Sequence, residues 1–515
     1  MYTQYWKLED RGNNLCYQEF EKQLADRGIE IEYELVSDAS IADTVRMRMA
    51  AQVDVPDMIA DAWIGITESE VLAWAGNGLI LDVKKLVDQY DEDGSIFKYY
   101  DDHTPGVLAS LTAADGGLYW FSYLNAPTMM NEDGSTPEYY GNSYMPSIRA
   151  DWMESVGIPY SMYMTHDELF DTLKAFQDND ANGNGAADEV MAIDIKGYSN
   201  GIARSFGLSL QTLAAIDKAT NKVYNNLDKP EFKSYINYMK RLYEAGLYDT
   251  TALADGMTTQ LIADNKAALT FHYAIWDTFE PTISGATDPA YAPIILDDDA
   301  GANGFYSTVD PKFGQYCRYI VTSACRDPQA VVDLYDYIYT DEYAYLDMLG
   351  IEGKSYEKNE FGVPVSLVDP DWPADFAWEY ASVRNTVGMI AVPSVLTTPS
   401  VRDRTKELKT DYRKLKSEYI KYFLDEGGAI ADLETYGNLS LLISLPSPEE
   451  QARLDEIDNV LDTYMSELLT DLILGNRSLD DLDQYVEELN VQGLADYMAI
   501  IQARRDRFIE AVGAN

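Results

Sequence analysis

Cysteine is scarce in this chain. Cys16, Cys317 and Cys325 are an odd number without CxxC spacing, which argues against a zinc site or a disulfide framework. Histidine is equally rare, with only His103, His166 and His272 present. No HExxH occurs, so a zinc protease lacks its ligands, and a Ser-His-Asp triad would have to draw on one of those three. No uninterrupted apolar run approaches the ~18 residues that a membrane span needs. The first six residues, Met1 to Trp6, show neither the charged region nor the apolar stretch of a signal peptide, so the expectation is either a cytoplasmic protein or one whose targeting segment has been removed. Gly353-Lys354-Ser355 ends like a phosphate-binding loop, but Met348 stands where the first glycine is required. Basic charge is also lacking: 39 Lys and Arg face 87 Asp and Glu, a net of −48. Such a field repels nucleic acid and anionic lipid, although salt screens it beyond about 8–10 Å. It favours neutral ligands or cations, and the scattering of acids along the chain suits solubility rather than an active centre.

What is present begins with size. The 515 residues, 46% of them apolar, are enough for two or three cores. Tyrosine is over-used, with 39 copies beside eight tryptophans. These rings join an apolar face to a polar edge, which suits sugar rings, and they pack cores equally well.

The most specific stretch is Asp178-Asn179-Asp180-Ala181-Asn182-Gly183-Asn184-Gly185-Ala186-Ala187-Asp188-Glu189. Oxygen-bearing side chains at alternate positions, glycines for the tight turns and two closing acids match what Ca²⁺ takes, about six to eight oxygens. Two registers are open. Counted from Asp178, the stretch satisfies the EF-hand expression through Asp178, Asp180, Asn182, Gly183 and Glu189. Counted from Asp180, it offers Asp180, Asn182, Asn184, the Ala186 carbonyl, Asp188 and Glu189, and this register is preferred because it employs Asn184 and Asp188. A solvated Asx/Gly turn would use the same residue types. Thr165 and Glu168 form a capping box ahead of the loop, with Leu169, Leu173 and Phe176 on one helical face. Val190 to Ile195 after it alternates as a strand. One loop between a helix and a strand has no paired partner, which points to a structural clamp rather than a sensor.

The first third alternates strand and helix: strands over 2–8, 29–35 and 57–62, helices over 14–25 and 41–51, and a further helix closing over 73–78. This is an α/β pattern with a mainly parallel sheet, whose ligands bind beyond the strand C-terminal ends. Residues 116–123 read as a turn and strand, 125–147 as a loop, 229–245 as a helix and 266–271 as a buried strand. Residues 296–304 form an acidic, Gly-bearing linker. The last seventy residues are helical, with Ser447, Pro448 and Glu450 opening a helix whose stripe runs from Leu454 to Leu472 and stops at Gly475. Ser478 opens the next, and Gly493 separates the last.

In this order the pieces resemble the family 1 extracellular solute-binding proteins of bacterial ABC importers, in the larger calcium-bearing branch common among Firmicutes. The carrying segments are Ile148-Arg149-Ala150-Asp151-Trp152-Met153-Glu154-Ser155-Val156-Gly157-Ile158, the helix from Thr165 to Phe176 with its metal loop, Gly350-Ile351-Glu352-Gly353, and Gln502-Ala503-Arg504-Arg505-Asp506-Arg507-Phe508. The loop has Ala186 where that branch usually has lysine, and only the carbonyl is needed there. The resemblance implies a two-lobed, type II periplasmic-binding-protein-like α/β fold with a hinge and a helical C-terminal extension. It assigns 1–125 and 311–350 to the first lobe, and 126–310 and 351–515 to the second, with the calcium loop at 178–189 and the tail at 447–510. It implies an oligosaccharide captured between closing lobes and delivered to ABC permease subunits, with no chemistry, by a monomer that is lipid-anchored on the outer face of the membrane in its full-length form. Ligand-binding candidates are Trp63, Trp120, Tyr123, Asn125, Trp276, Trp372, Trp378 and Asp61. Two rivals remain: a glycoside hydrolase, whose two carboxylates roughly 5–9.5 Å apart could be found among so many acids, and a calcium-dependent lectin, which would need open positions on the ion.

Overall fold

The computed structural model describes residues 2–4, 12–36, 41–62, 64–103, 106–125, 146–193, 201–208, 210, 213–217, 220–248, 257–271, 291–296, 314–367, 393–394 and 443–513. Its first three strands, Tyr2–Gln4, Glu34–Val36 and Met58–Ala62, lie parallel. The intervening helices Leu15–Asp26 and Ile41–Ala51 each bury one stripe, Cys16, Tyr17, Phe20 and Leu24 in the first and Ile41, Val45 and Met49 in the second. The alternation over 29–35 yields a strand only at Glu34–Val36, because the neighbouring strand offers a ladder to three residues: Tyr2, Thr3 and Gln4.

The sheet is completed from far along the chain. Gly314–Val321 inserts antiparallel between Met58–Ala62 and Phe121–Asn125, and Pro393–Ser394 adds a parallel edge beside Phe121–Asn125. The mainly parallel sheet expected from the first third thus holds for its first strands, while one antiparallel strand divides its middle. Five strands therefore point one way, and their C-terminal ends share one edge of the sheet. Tyrosine fills the core beneath. Phe121 stacks on Tyr335 with ring centroids 3.8 Å apart. The Tyr339 hydroxyl donates to the Ser122 carbonyl at 2.8 Å, while the Tyr100 hydroxyl accepts the Ser122 N–H at 3.0 Å.

A second core forms around Tyr291–Pro293, Ser147–Arg149, Ala267–Thr270 and Val190–Ala192, hydrogen-bonded in that order. Every residue of the last three strands is buried, so both faces of this sheet are covered. The helix Pro230–Glu244 packs there against Pro448–Leu474. Ser447 and Glu450 form the expected capping box with Pro448 in the first turn, and Gly475 closes the helix at φ 78°. Leu454, Ile457, Leu461, Met465, Leu468 and Leu472 are buried, each contributing about 1.5–3 kcal/mol by leaving water. Further along, the helix Leu494–Gly513 carries Gln502 and Arg505 onto the turn between the strands Ala214–Asp217 and Lys222–Asn225. There Gln502 donates to the Asn221 carbonyl at 3.0 Å and accepts the Val223 N–H at 2.9 Å, and Arg505 donates to the Asn221 side chain at 3.1 Å.

This tail also touches the first lobe. The Ser69 hydroxyl donates to Asp455 at 2.9 Å, and the helix Val107–Leu111 lies against Leu494–Gly513. The segment leading into the tail straddles both cores, with Ile443 in the second and Leu445 in the first. Residues 351–366, placed by sequence with the second lobe, pack instead on the first. Their hairpin of Tyr356–Lys358 and Pro364–Ser366 stacks Tyr356 on Tyr345, and the Ser355 hydroxyl meets the Cys16 sulfur at 3.7 Å. The cause is Gly350, at φ 90°, which turns the chain back on itself; a Cβ there would stand 2.5 Å from the Ser355 oxygen and 2.8 Å from the Cys16 sulfur. Gly350→Ala is therefore expected to lower unfolding free energy by about 2 kcal/mol or more in urea titration, and a change below about 0.5 kcal/mol would refute the close approach.

Candidate functional site

The helix His166–Asp178 delivers the chain to the metal loop, capped by Thr165 and Glu168 as the sequence requires. Asp178 still belongs to this helix and pairs outward with Lys174. From Asp180 the loop curls through three residues at positive φ, Asp180 at 49°, Gly183 at 71° and Gly185 at 84°. Asx oxygens hold the curl from inside. Asp180 accepts the N–H of Asn184 at 3.0 Å and of Gly185 at 3.1 Å, Asn182 accepts Asn184 at 3.1 Å, and Asn184 accepts Ala186 at 2.8 Å. Asp188 gathers the side-chain amides of Asn182 and Asn184, each at 2.9 Å, and the Lys266 ammonium at 3.1 Å. Burial pushes the Asp188 carboxyl up, but those three donors outweigh it and hold the group below its ordinary value. Glu189 is fully buried and accepts the N–H groups of Asn182 at 3.0 Å and Asp188 at 3.2 Å.

This donor set fits calcium. Its candidate ligands are all oxygen, three of them carboxylates, and one of these, Glu189, is taken wholly out of water, which calls for a positive partner. The hydrogen-bonded curl begins at Asp180, with Asp178 left on the helix.

The loop is tied to the sheet through residues that the sequence did not flag. Asn182 donates to the Asn265 carbonyl at 3.2 Å. The Asn265 side chain in turn accepts Arg149, whose guanidinium also forks onto both oxygens of Asp151 at 2.7 and 2.6 Å. Arg149 is almost completely buried, lying 4.0 Å over the Trp152 ring and 5.4 Å from that of Tyr291. The Ile148-to-Trp152 motif and the metal loop, separated in sequence by the helix His166–Asp178, thus meet at Asn265. All of these groups stand where Val190–Ala192 and Ala267–Thr270 begin, so the loop occupies the N-terminal edge of the second sheet. Trp276 lies outside the described residues, and the chain reaches it from the opposite, C-terminal end of Ala267–Thr270.

In the first lobe, strand order brings three candidates to the C-terminal edge. Cα pairing sets Arg318 between Asp61 and Ser122, Gly314 beside Tyr123, and Ser394 beside Asn125. Asp61, Tyr123 and Asn125 therefore share one rim. Asp61 is buried and bonded to Arg318 at 2.7 Å. Burial pushes its carboxyl up to about 6, against the downward pull of that guanidinium. Trp120 is placed elsewhere. It precedes the strand, is 2% exposed, and packs in the core with Arg318 5.8 Å from its ring. Trp63, Trp372 and Trp378 lie outside the described residues, as does the linker beyond Leu296.

One trio of carboxylates among the described residues, Asp91, Asp93 and Asp336, has oxygens within 4.8 Å of one another. Asp91 is occupied there with the N–H groups of Gly94, Ser95 and Ile96. Among the described residues no helix is long and apolar enough to cross a membrane.

No family model matches the sequence. The fructooligosaccharide ABC transporter substrate-binding protein FusA of Streptococcus pneumoniae is 23% identical over 469 residues, spanning 88% of this chain and 80% of FusA. The structure of FusA in complex with kestose superposes with a TM-score of 0.69 at 21% identity over 99% of each chain. The fold is that of an ABC-transporter substrate-binding protein. A FusA EF-hand mutant in complex with fructo-nystose gives the same TM-score at 20% identity over 99% of each chain. A human-milk-oligosaccharide (HMO)-binding solute-binding protein of Bifidobacterium longum infantis gives 0.69 at 17% identity over 98% of each chain. The two-lobed α/β architecture is therefore shared along the whole length of these substrate-binding proteins.

Removing Arg149 would leave the partly buried Asp151 carboxylate and Asn265 side chain without their guanidinium partner. Arg149→Ala is expected to cost about 3–5 kcal/mol in denaturant titration, and Arg149→Lys to recover less than half of it, because an ammonium cannot fork onto Asp151 and Asn265 together. Full recovery by lysine would show that only the charge matters.

Proposed function

We propose that this chain is the extracellular substrate-binding component of an ABC importer, which captures an oligosaccharide between its lobes and hands it unaltered to membrane permease subunits. The observation that carries this reading is the likeness, over 99% of both chains, to FusA holding kestose. The strand topology supports it. Asp61, Tyr123 and Asn125 share the C-terminal rim of the first sheet, where open α/β sheets bind ligands. Trp63 follows that rim in sequence, and Trp276 follows the corresponding rim of the second sheet. Tyr123 and the tryptophans would supply stacking faces for sugar rings, and Asn125 hydrogen bonds to hydroxyls. The protein works as a lipid-anchored monomer on the outer face of the membrane, without catalysis.

Asp180, Asn182, Asn184, the Ala186 carbonyl, Asp188 and Glu189 would hold one Ca²⁺. The ion and the oligosaccharide then lie at opposite edges of the second sheet. Three residues of Val190–Ala192 at roughly 3.3 Å each separate them by about 10 Å or more. A lectin-like mode, in which the ion grips the sugar, does not suit that separation. Calcium acts as a brace, adding about 2.7 kcal/mol of stability at a hundred times its Kd.

A glycan array followed by calorimetry, with fructooligosaccharides and milk oligosaccharides included, should find tight binding of an oligosaccharide with no release of reducing ends; released ends from a bound glycan would establish a hydrolase instead. Chelating calcium should lower the Tm markedly while leaving oligosaccharide affinity intact at a temperature where the protein stays folded. Equal loss of both would favour the lectin.

A further inference from the structure

The metal loop contains no cation of its own, yet one is held against it from outside. Lys266 precedes the strand Ala267–Thr270, and its backbone is fixed at both ends. Its N–H donates to the Leu261 carbonyl at 2.9 Å, and its own carbonyl accepts the Val190 N–H at 2.9 Å. The residue before it, Asn265, is bonded both to the loop and to Arg149. From that fixed base the ammonium reaches one oxygen of Asp188 at 3.1 Å, while the other oxygen receives the amides of Asn182 and Asn184. Both oxygens of a carboxylate expected to ligate the ion are thus engaged, one of them by a full positive charge. The pair is partly exposed, at 36% for the lysine side chain and 28% for the aspartate.

We propose that Lys266 is a resident counter-cation that sets how tightly the loop binds its metal. This rests on the calcium reading of the loop and goes beyond it. With the loop empty, the ammonium offsets the mutual repulsion of Asp180, Asp188 and Glu189 and keeps the curl intact. With a divalent ion bound, the same charge lies beside the ion and opposes it. Lys266 therefore stabilises the empty state and weakens the loaded one, narrowing the difference on which metal affinity depends. Because the opposition scales with the charge of the ion, it is stronger against a trivalent ion than against a divalent one of similar size.

The test is calorimetric titration of the whole protein with Ca²⁺ and with Tb³⁺, in the unsubstituted form and in Lys266→Gln and Lys266→Arg. Lys266→Gln is expected to bind Ca²⁺ at least about five-fold more tightly and Tb³⁺ by a larger factor, and to unfold at lower temperature than the unsubstituted protein when both are metal-free. Lys266→Arg, which keeps the charge, should stay within about two-fold of the unsubstituted protein for both ions. Unchanged or weaker Ca²⁺ binding in Lys266→Gln, when the unsubstituted protein binds, would overturn the role of Lys266 and leave the site standing. An equal gain for the two ions would also overturn it, by showing a steric effect. Absence of any calcium heat from all three proteins would overturn the site itself and this role with it.

Discussion

A guanidinium removed from water must be met on every side, and the way Arg149 is met organises the second lobe. Its charge is answered by Asp151, a further N–H by Asn265, and its flat face by Trp152 and Tyr291. Each partner belongs to a different part of the chain. Asp151 and Trp152 open the helix after the first strand of the sheet, Tyr291 begins its last, and Asn265 ends the turn before Ala267–Thr270. Leaving any of these groups unmatched would strand a buried charge or amide, so they come into register together. The metal loop inherits that register through the Asn265 carbonyl. The proposed calcium site is thereby tied to the edge of the sheet that Arg149 organises.

Local order in this molecule was legible wherever it is set by neighbours in sequence. The capping boxes at Thr165 and Ser447, the helix stops at Gly475 and Gly493, and the curl from Asp180 to Glu189 are all set by residues within seven positions of one another. Long-range order was not. Gly314–Val321 does not announce that it will divide a parallel sheet, and nothing near residue 351 says that the next fifteen residues return to the first core. Lys266 and Asn265 escaped notice for the same reason, since their partners lie 78 and 83 positions away, at Asp188 and Asn182 (266 − 188 and 265 − 182). Of the ligand-binding candidates, Asp61, Tyr123 and Asn125 share one edge of the first sheet. The Trp120 ring is buried in the first core.

The abundance of tyrosine has a related explanation. Composition pointed to sugar-binding faces, yet Tyr17, Tyr100, Tyr235, Tyr248, Tyr291, Tyr319, Tyr335 and Tyr343 are among the largest fully buried side chains. In the first lobe Tyr335 packs its ring against Tyr319 and Phe121, while Tyr100 and Tyr339 hydrogen-bond to the backbone of the strand Phe121–Asn125. A phenol fills the volume of a phenylalanine and satisfies a polar group as well. It can therefore lock a strand from beneath in a way that an aliphatic core cannot.

The order in which the strands are laid down has a consequence for how the molecule is made. All four strands of the second sheet fall between residues 147 and 293, whereas the middle of the first arrives only at 314–321 and its edge at 393–394. A nascent polypeptide that has emerged to residue 300 carries every strand of one sheet and a gap in the other, with Met58–Ala62 and Phe121–Asn125 facing each other across a missing neighbour. Open strand edges of that kind are templates for wrong pairing, and closing them over some two hundred intervening residues is slow. The half of the protein that is synthesised first is the half that is finished last.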